Sequence, residues 1–230
     1  MDLRVAAVER LELRFAPRPW RFADARRADI DAYFADMQRR KPVWNGRMLL
    51  LHEWALDHGV MRGAFLETDF ASYIAWRDWG FPDAGVINCF AQGALRAADG
   101  AFLLGVMGAH TAGAGSIYFP SGTPDPKDVT GGAVDLDRSV LRELAEETGL
   151  GADDVSVAPG WHAVLAGPRI ALMKPLQAAE PAEALRHRIL RHLAGEQNPE
   201  LADIRIVRGP ADLDPKMPAF IPAFLHAMWR

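Results

Sequence analysis

The sequence predicts an α+β fold in which a mixed β-sheet lies between helices. Half of the 230 residues are hydrophobic, which is enough for a substantial packed core. Strand-like and helix-like segments are mixed along the chain without strict βαβ alternation. Two apolar runs flank Asp99-Gly100, a turn pair typical of an antiparallel hairpin.

The first part of the chain predicts a smaller α/β subdomain over residues 1–85. The apolar spacing of residues 29–40 predicts a helix. Two strands are expected around the turn at 57–59, and a short helix from about Asp69 to Trp79. The turn-rich segment GFPDAG at 80–85 then marks the boundary of a second domain over 86–230.

In the second domain, the hairpin is followed by a short strand, a long loop rich in Gly, Pro and Asp, and an acidic helix. Asp135 is the expected N-cap of that helix, and Gly149 is the expected residue at its end. The further elements predicted are strands at 116–120, 155–166, 169–176 and 204–208, and helices at 180–194 and 218–229.

Charge and composition narrow the class of protein. The formal net charge is −4, which gives no electrostatic reason to expect nucleic-acid binding. No apolar run approaches 18 residues, and the N-terminus lacks the apolar core of a signal peptide, so neither a membrane span nor export is expected. The one cysteine, Cys89, forms no internal disulfide, and a cytoplasmic location is expected.

The most informative segment is RELAEETGL, residues 142–150. Glu143, Glu146 and Glu147 are spaced to lie on one face of a helix, where their charges repel, and Arg142 offsets one of them. A solvated helix face is one interpretation. The other is a divalent cation, because clustered carboxylate oxygens suit Mg²⁺.

The order of these residues resembles the C-terminal part of the Nudix box, and YFPSG at 118–122 resembles the entry to that box. The resemblance covers about residues 86–215. It implies an α/β/α sandwich with a mixed sheet and a Mg²⁺-dependent hydrolase, with Mn²⁺ as a substitute, acting on the pyrophosphate bond of a nucleoside diphosphate derivative. It further implies that Glu143, Glu146 and Glu147 bind the metal. By the same resemblance Glu143 and Arg142 are catalytic: Glu143 either binds metal or takes a proton from water, and Arg142 holds a carboxylate.

The resemblance has two departures. Gly122 would be the first glycine of the box, but the loop that follows it carries about six residues more than the family has. Counting back from Arg142 places Val134 where the family has its first glutamate, and Asp135, one position later, is the candidate substitute.

The loop over 123–133 allows two interpretations. Asp125, Lys127 and Asp128 either border the substrate or close the insertion as turn residues. In some members of the family a glutamate on a distant loop is the base. The sequence leaves four candidates for that role, which are Glu180, Glu183, Glu196 and Glu200.

The N-terminal part resembles, weakly, the leading region of a subgroup that hydrolyses UDP-sugars, through Asn45-Gly46 and Thr68-Asp69-Phe70. A nucleotide sugar such as UDP-glucose is therefore the expected substrate. ADP-ribose or a dinucleotide is the alternative, as is a sensor that binds nucleotide without turnover. Tryptophans 44, 54, 76 and 79 either pack between subdomains or form a wall for a nucleobase. A homodimer is left open as the assembly.

Overall fold

The structure, a computed structural model, describes residues 3–230. The strands are β1 (Arg4–Val8), β2 (Arg10–Phe15), β3 (Arg47–Asp57), β4 (Val60–Asp69), β5 (Asn88–Arg96), β6 (Phe102–Met107), β7 (Ile117–Tyr118), β8 (Ser121–Gly122), β9 (Val129–Thr130), β10 (Ala133–Val134), β11 (Val155–Val157), β12 (Trp161–Ala166), β13 (Arg169–Ala178) and β14 (Leu201–Val207). The helices are α1 (Arg21–Ala25), α2 (Arg27–Arg40), α3 (Phe70–Asp78), α4 (Leu136–Thr148), α5 (Ala182–Gly195) and α6 (Phe220–Met228).

The larger sheet has nine strands in the main order β1-β12-β13-β5-β6-β14, with three short strands paired beside them. Strands β13 and β5 run parallel and the other pairs are antiparallel, so the sheet is mixed. Helices α4 and α5 pack on one face through residues such as Val140 and Ile189. Helix α6 packs on the other face through Phe220 and Phe224. The predicted α+β fold with a mixed sheet between helices is confirmed.

Strand β5 lies in the middle of this sandwich and is covered on both faces. Eight of its nine residues are buried, and the ninth is Arg96 at its end. Cys89 and Leu95 point into the core under α4 and α5, whereas Phe90 and Ala94 point into the core under α6. A strand buried on both faces reads as a nearly continuous apolar run, which is the pattern of NCFAQGAL.

The smaller sheet has the order β3-β4-β2-β10-β9. Helices α2 and α3 cover one face, with Ile30, Phe34 and Trp76 in the shared core. The two predicted strands around residues 57–59 and both predicted helices of this region are present. Trp76 is buried within this core, whereas Trp44 is 87% exposed and Trp54 is 39% exposed, so packing of the tryptophans between the two parts stays a prediction.

Each part of the chain, before and after residue 85, contributes a strand to the sheet formed mainly by the other part. Strand β1 pairs with β12 in the larger sheet. In the other direction, residues 129–134 form a hairpin whose strand β10 pairs with β2 in the smaller sheet. The division of the chain at 85 stays a prediction, and the two parts are joined by backbone hydrogen bonds in both directions.

Several local predictions need correction. The strand expected at 116–120 is confined to Ile117–Tyr118, because the chain turns from β7 to β8. The strand expected at 155–166 is two strands, separated by a turn in which Gly160 has a φ of 71°. The later helices and the last strand are present within a few residues of the expected bounds. Among the described residues, no helix is both long enough and apolar enough to cross a bilayer.

Candidate active site

Helix α4 carries the acidic residues and is fixed at both ends. The side chain of Asp135 accepts a hydrogen bond from the Arg138 backbone N–H at 3.0 Å, as expected of an N-cap. Gly149 ends the helix with a φ of 69°, in the left-handed region. Val140 and Leu144 are buried against the larger sheet. Both predicted caps are therefore present, and the apolar contacts fix which way the glutamates point.

The site lies where the larger sheet splits. Strands β5 and β6 pair only at Arg96 and Phe102. Beyond that pair, β7 hydrogen-bonds to β6 and β8 hydrogen-bonds to β5, which opens a gap between the two long strands. A cavity of about 510 Å³ occupies this region, with Glu143 and Glu200 in its wall. Gly122 of β8 also lines it, and a side chain there would collide with the Glu143 carboxylate.

Glu147 is the most deeply buried of the three glutamates, at 3% exposure. Its Oε1 accepts a hydrogen bond from the Ser121 backbone N–H at 3.3 Å. Its Oε2 is buried and has no hydrogen-bond partner among the described residues. Burial raises the pKa of Glu147 well above its ordinary value, and the negative charges of Glu200 and Glu143 raise it further.

Glu143 is in a similar electrostatic position. Burial raises the pKa of Glu143 to about 7; Arg142 opposes this rise, and the charges of Glu146 and Glu200 add to it. The site thus concentrates carboxylates that are costly to ionise without a counter-charge.

Arg142 is the guanidinium that contacts this cluster. It lies 2.7 Å from Glu143 and 3.2 Å from Glu146, whose side chain is 61% exposed. Its Nη2 also donates to Asp128 at 3.1 Å. One cation is therefore shared among three carboxylates, which leaves the cluster strongly negative when they are ionised.

Asp128, which the sequence left as either a residue bordering the substrate or a turn residue of the loop, lies against the acidic helix. It is 1% exposed, and besides Arg142 its carboxylate accepts hydrogen bonds from Ser139 Oγ at 3.1 Å and from the Asp125 backbone N–H at 3.0 Å. The structure places Asp128, and not the capping residue Asp135, against Arg142.

A signal for Asp128 was present in the sequence. Five residues separate Gly122 from Asp128, which is the spacing of the box between its first glycine and its first glutamate. The six extra residues follow Asp128, so counting back from Arg142 by the spacing of the box ends at Val134 instead of at the acid. Those residues, 129–134, are the hairpin that joins the smaller sheet.

Of the four glutamates considered as the distant base, one lies at the cavity and three do not. Glu200 lines the cavity, whereas the others form ion pairs elsewhere. Those pairs are Glu180 with Arg188 at 3.0 Å, Glu183 with Arg208 at 3.5 Å and Glu196 with His192 at 3.3 Å. Glu200 is exposed by surface area, but enough protein surrounds it to raise its pKa by desolvation, an effect that His110 opposes and Glu146 adds to.

The donor set fits a hard divalent cation. The unpartnered Oε2 of Glu147 and the neighbouring carboxylate of Glu143 are the oxygen ligands that Mg²⁺ prefers. Within residues 3–230, no three His, Cys, Asp or Glu side chains already converge as an ion would require. In this arrangement Arg142 holds Glu143 and Glu146 in ion pairs. The predicted ligand set Glu143, Glu146 and Glu147 stays a prediction.

Comparisons with known proteins give matches among solved structures alone. No family model and no curated protein matches the chain. The chain is similar in structure to a Nudix hydrolase from M. smegmatis, RenU, with 19% identity, a TM-score of 0.40, and coverage of 61% of this chain and 81% of that one. A MutT protein from Methanosarcina mazei aligns with 17% identity and a TM-score of 0.41, covering 63% of this chain and 94% of that one. A pyrophosphohydrolase from Bacillus subtilis, BsRppH, aligns with 15% identity and a TM-score of 0.37, covering 61% and 80%. At these TM-scores the alignments decide neither activity nor substrate.

Proposed function

We propose that this protein is a divalent-metal-dependent hydrolase of the pyrophosphate bond in a nucleoside diphosphate derivative, as the resemblance of its acidic motif to the Nudix box implies. The observation that carries the proposal is the buried, unpartnered Oε2 of Glu147 beside the carboxylate of Glu143. A buried carboxylate without a partner destabilises the fold, because its charge is desolvated. A bound cation would neutralise that charge and offset the cost.

The chain's own residues have separable tasks in this reaction. Glu147 and Glu143 would hold the cation, with Glu146, whose side chain is 61% exposed, as the third carboxylate. When bound there, such a cation neutralises phosphate charge and makes a nearby water more acidic. Arg142 is a positioning residue: it contacts Glu143 directly and is itself held by the buried Asp128. The backbone N–H of Ser121 orients Glu147 through its Oε1.

Glu200 is the residue that fits the base among the four distant candidates. It shares the cavity wall with Glu143, and desolvation raises its pKa above the ordinary value, which makes its carboxylate a stronger base. The products of attack by water are two phosphate monoesters, one of which keeps the nucleoside.

For the substrate, the weak N-terminal resemblance to UDP-sugar hydrolases favours a nucleotide sugar such as UDP-glucose. ADP-ribose and dinucleotides are the runner-up class, and binding without turnover is the alternative to catalysis. The intact set of motif residues supports catalysis over binding alone.

A substrate panel tests the proposal. UDP-glucose, ADP-ribose, a diadenosine polyphosphate and coenzyme A are incubated with Mg²⁺, and released phosphate is measured after phosphatase treatment. We expect turnover of at least one of them, lost by a factor of about 10² or more in Glu147→Gln. The matched control is Glu183→Gln, since Glu183 pairs with Arg208 away from the cavity. Equal turnover in wild type and Glu147→Gln would refute the catalytic assignment.

A further inference from the structure

The cavity extends along strand β5 away from the carboxylates. Asn88, Phe90 and Gln92 all line it, as alternate residues of one strand do when they share a face. Gln92 lies beside Ser121, whose N–H holds Glu147, so Gln92 marks the carboxylate end. Asn88, four residues away, is about 13 Å from it along the strand.

Two amide oxygens in this wall have no hydrogen-bond partner among residues 3–230. Gln92 is 1% exposed, and its Oε1 makes no hydrogen bond within the described part of the chain. Asn88 is also buried; its Nδ2 donates to the Tyr73 hydroxyl at 3.0 Å, while its Oδ1 is unpartnered. Exchanging the amide oxygen and nitrogen of Asn88 only moves the vacancy, because Tyr73 then donates to the oxygen and the nitrogen loses its acceptor. A buried polar atom without a partner destabilises a fold, so two on one cavity wall point to a ligand.

The residues around these amides suit a flat ring. Phe90 lies between them on the same strand, and its ring centroid is 5.3 Å from that of Phe220. At the far end, Arg169 pairs in register with Asn88, and its guanidinium lies 5.0 Å from the centre of the Phe81 ring. Aromatic and guanidinium planes both stack on nucleobases. The length of the wall suits a ribose followed by a base better than one pyranose ring.

We propose that the Asn88–Phe90–Gln92 face of β5 binds the nucleoside half of the substrate, with the base at the Asn88 end. Gln92 Oε1 accepts a hydrogen bond from a ribose hydroxyl, and the Asn88 amide bonds to the edge of the base. The inference deepens the proposed function and rests on it for the position of the phosphates, which lie at the Glu143 end. The group released with the other phosphate then lies outside this wall.

If the Gln92 amide faces a ligand, its removal should change stability and binding in opposite directions. In Gln92→Met a side chain of similar length replaces the amide, so the unpartnered oxygen is removed. The melting temperature of the free protein is therefore expected to stay level or rise. Affinity for the nucleoside half is expected to fall about tenfold, because one buried hydrogen bond is lost. A purely structural role for Gln92 would lower the melting temperature instead.

Calorimetric titration of the full chain tests this without turnover. The probes are UMP and AMP for the nucleoside half, and glucose 1-phosphate and ribose 5-phosphate for the alternatives. We expect at least one nucleotide to bind wild type, and Gln92→Met and Asn88→Leu each to weaken that binding about tenfold. The control is Gln177→Met, since Gln177 lies in the same sheet but its amide bonds to backbone carbonyls outside the cavity.

The outcomes separate this inference from the proposed function. Nucleotide binding that depends on Gln92 and Asn88, in a protein that hydrolyses none of the substrate panel, supports the inference and removes the catalytic proposal. Hydrolysis with nucleotide affinities unchanged in both variants overturns the inference alone. Failure of both nucleotides to bind, or a loss of affinity confined to glucose 1-phosphate, also overturns it.

Discussion

Replacing Glu143 with glutamine should stabilise the metal-free protein at alkaline pH while abolishing its activity. The reason is that burial and neighbouring acids make ionisation of Glu143 unfavourable in the folded state, with its pKa raised to about 7 from an ordinary 4.5. In the unfolded chain the same carboxyl ionises near its ordinary value. A group whose pKa is higher in the folded state contributes stability at low pH, and that contribution is lost as the pH rises through the folded pKa.

The magnitude follows from the two pKa values. Each pKa unit corresponds to about 1.36 kcal/mol, so raising the pKa from 4.5 to about 7 corresponds to about 3 kcal/mol. The side chain of Glu143 is 14% exposed, so solvent screens little of this. The loss begins above pH 4.5 and is complete somewhat above pH 7. For a chain of this size, about 3 kcal/mol changes the melting temperature by roughly 6–12 °C.

Differential scanning calorimetry in EDTA, from pH 5 to pH 8.5, measures the effect. We expect the melting temperature of Glu143→Gln to approach wild type at pH 5 and to exceed it at pH 8.5. Mg²⁺ added at pH 8.5 should raise the wild type more than the variant, since a ligand has been removed. Glu146→Gln is the control, because its side chain is 61% exposed. A difference between Glu143→Gln and wild type that stays constant across this pH range would refute the reasoning.

Two further substitutions test the contacts around the motif. Asp128→Asn removes the buried charge that holds the Arg142 guanidinium. We expect turnover to fall about tenfold or more and the free energy of unfolding to fall by roughly 3 kcal/mol. Asp135→Asn should leave both nearly unchanged, because asparagine is an equally good N-cap. Steady-state kinetics and urea unfolding decide this, and equal effects of the two changes would contradict the placement of the acid. Gly122→Ala should push the Glu143 carboxylate out of place and lower turnover by a factor on the order of 10². The urea midpoint should change little, since a flexible side chain moves and the backbone does not. Unchanged turnover would show that this position of Glu143 is not required.

The fold could be predicted where local patterns agree with tertiary demands. The helix at 29–40, the hairpin turn at Asp99-Gly100 and the caps of the acidic helix each follow from short-range signals, and all are present. Strands β1 and β2 could not be found in this way. Their sequence RVAAVERLELRF carries five charged residues, and its partners, β12 and β4, lie far along the chain. Whether such a segment forms a strand depends on pairing with residues far along the chain, which no local pattern encodes.

The candidate site, too, could be predicted from the sequence only in part. The Arg-Glu-x-x-Glu-Glu spacing places four side chains on one helix, so their proximity could be predicted from the sequence. The electrostatics of the site could not be predicted, because the raised pKa of Glu147 depends on its burial and on the charge of Glu200, the residue before β14. Periodicity places Glu147 on the acidic face, yet the splitting of the sheet makes that position buried. The sequence interpretation named neither Asn88 nor Gln92, because nothing in the local pattern shows that a cavity lies beside them.

The six residues after Asp128 tie together parts of the chain that the sequence treats as separate. As the hairpin 129–134, they begin beside the acid that holds Arg142 and end at the N-cap of the acidic helix, and in between they pair with β2. The smaller sheet therefore supports both Asp128 and the N-cap Asp135 of the acidic helix. Its helix α3 also supplies Tyr73 and Arg77 to the same cavity wall as Glu143. A unit that both braces the acidic helix and lines the cavity is placed to influence turnover and substrate choice together, which is why we expect the first 85 residues to act in selecting the substrate.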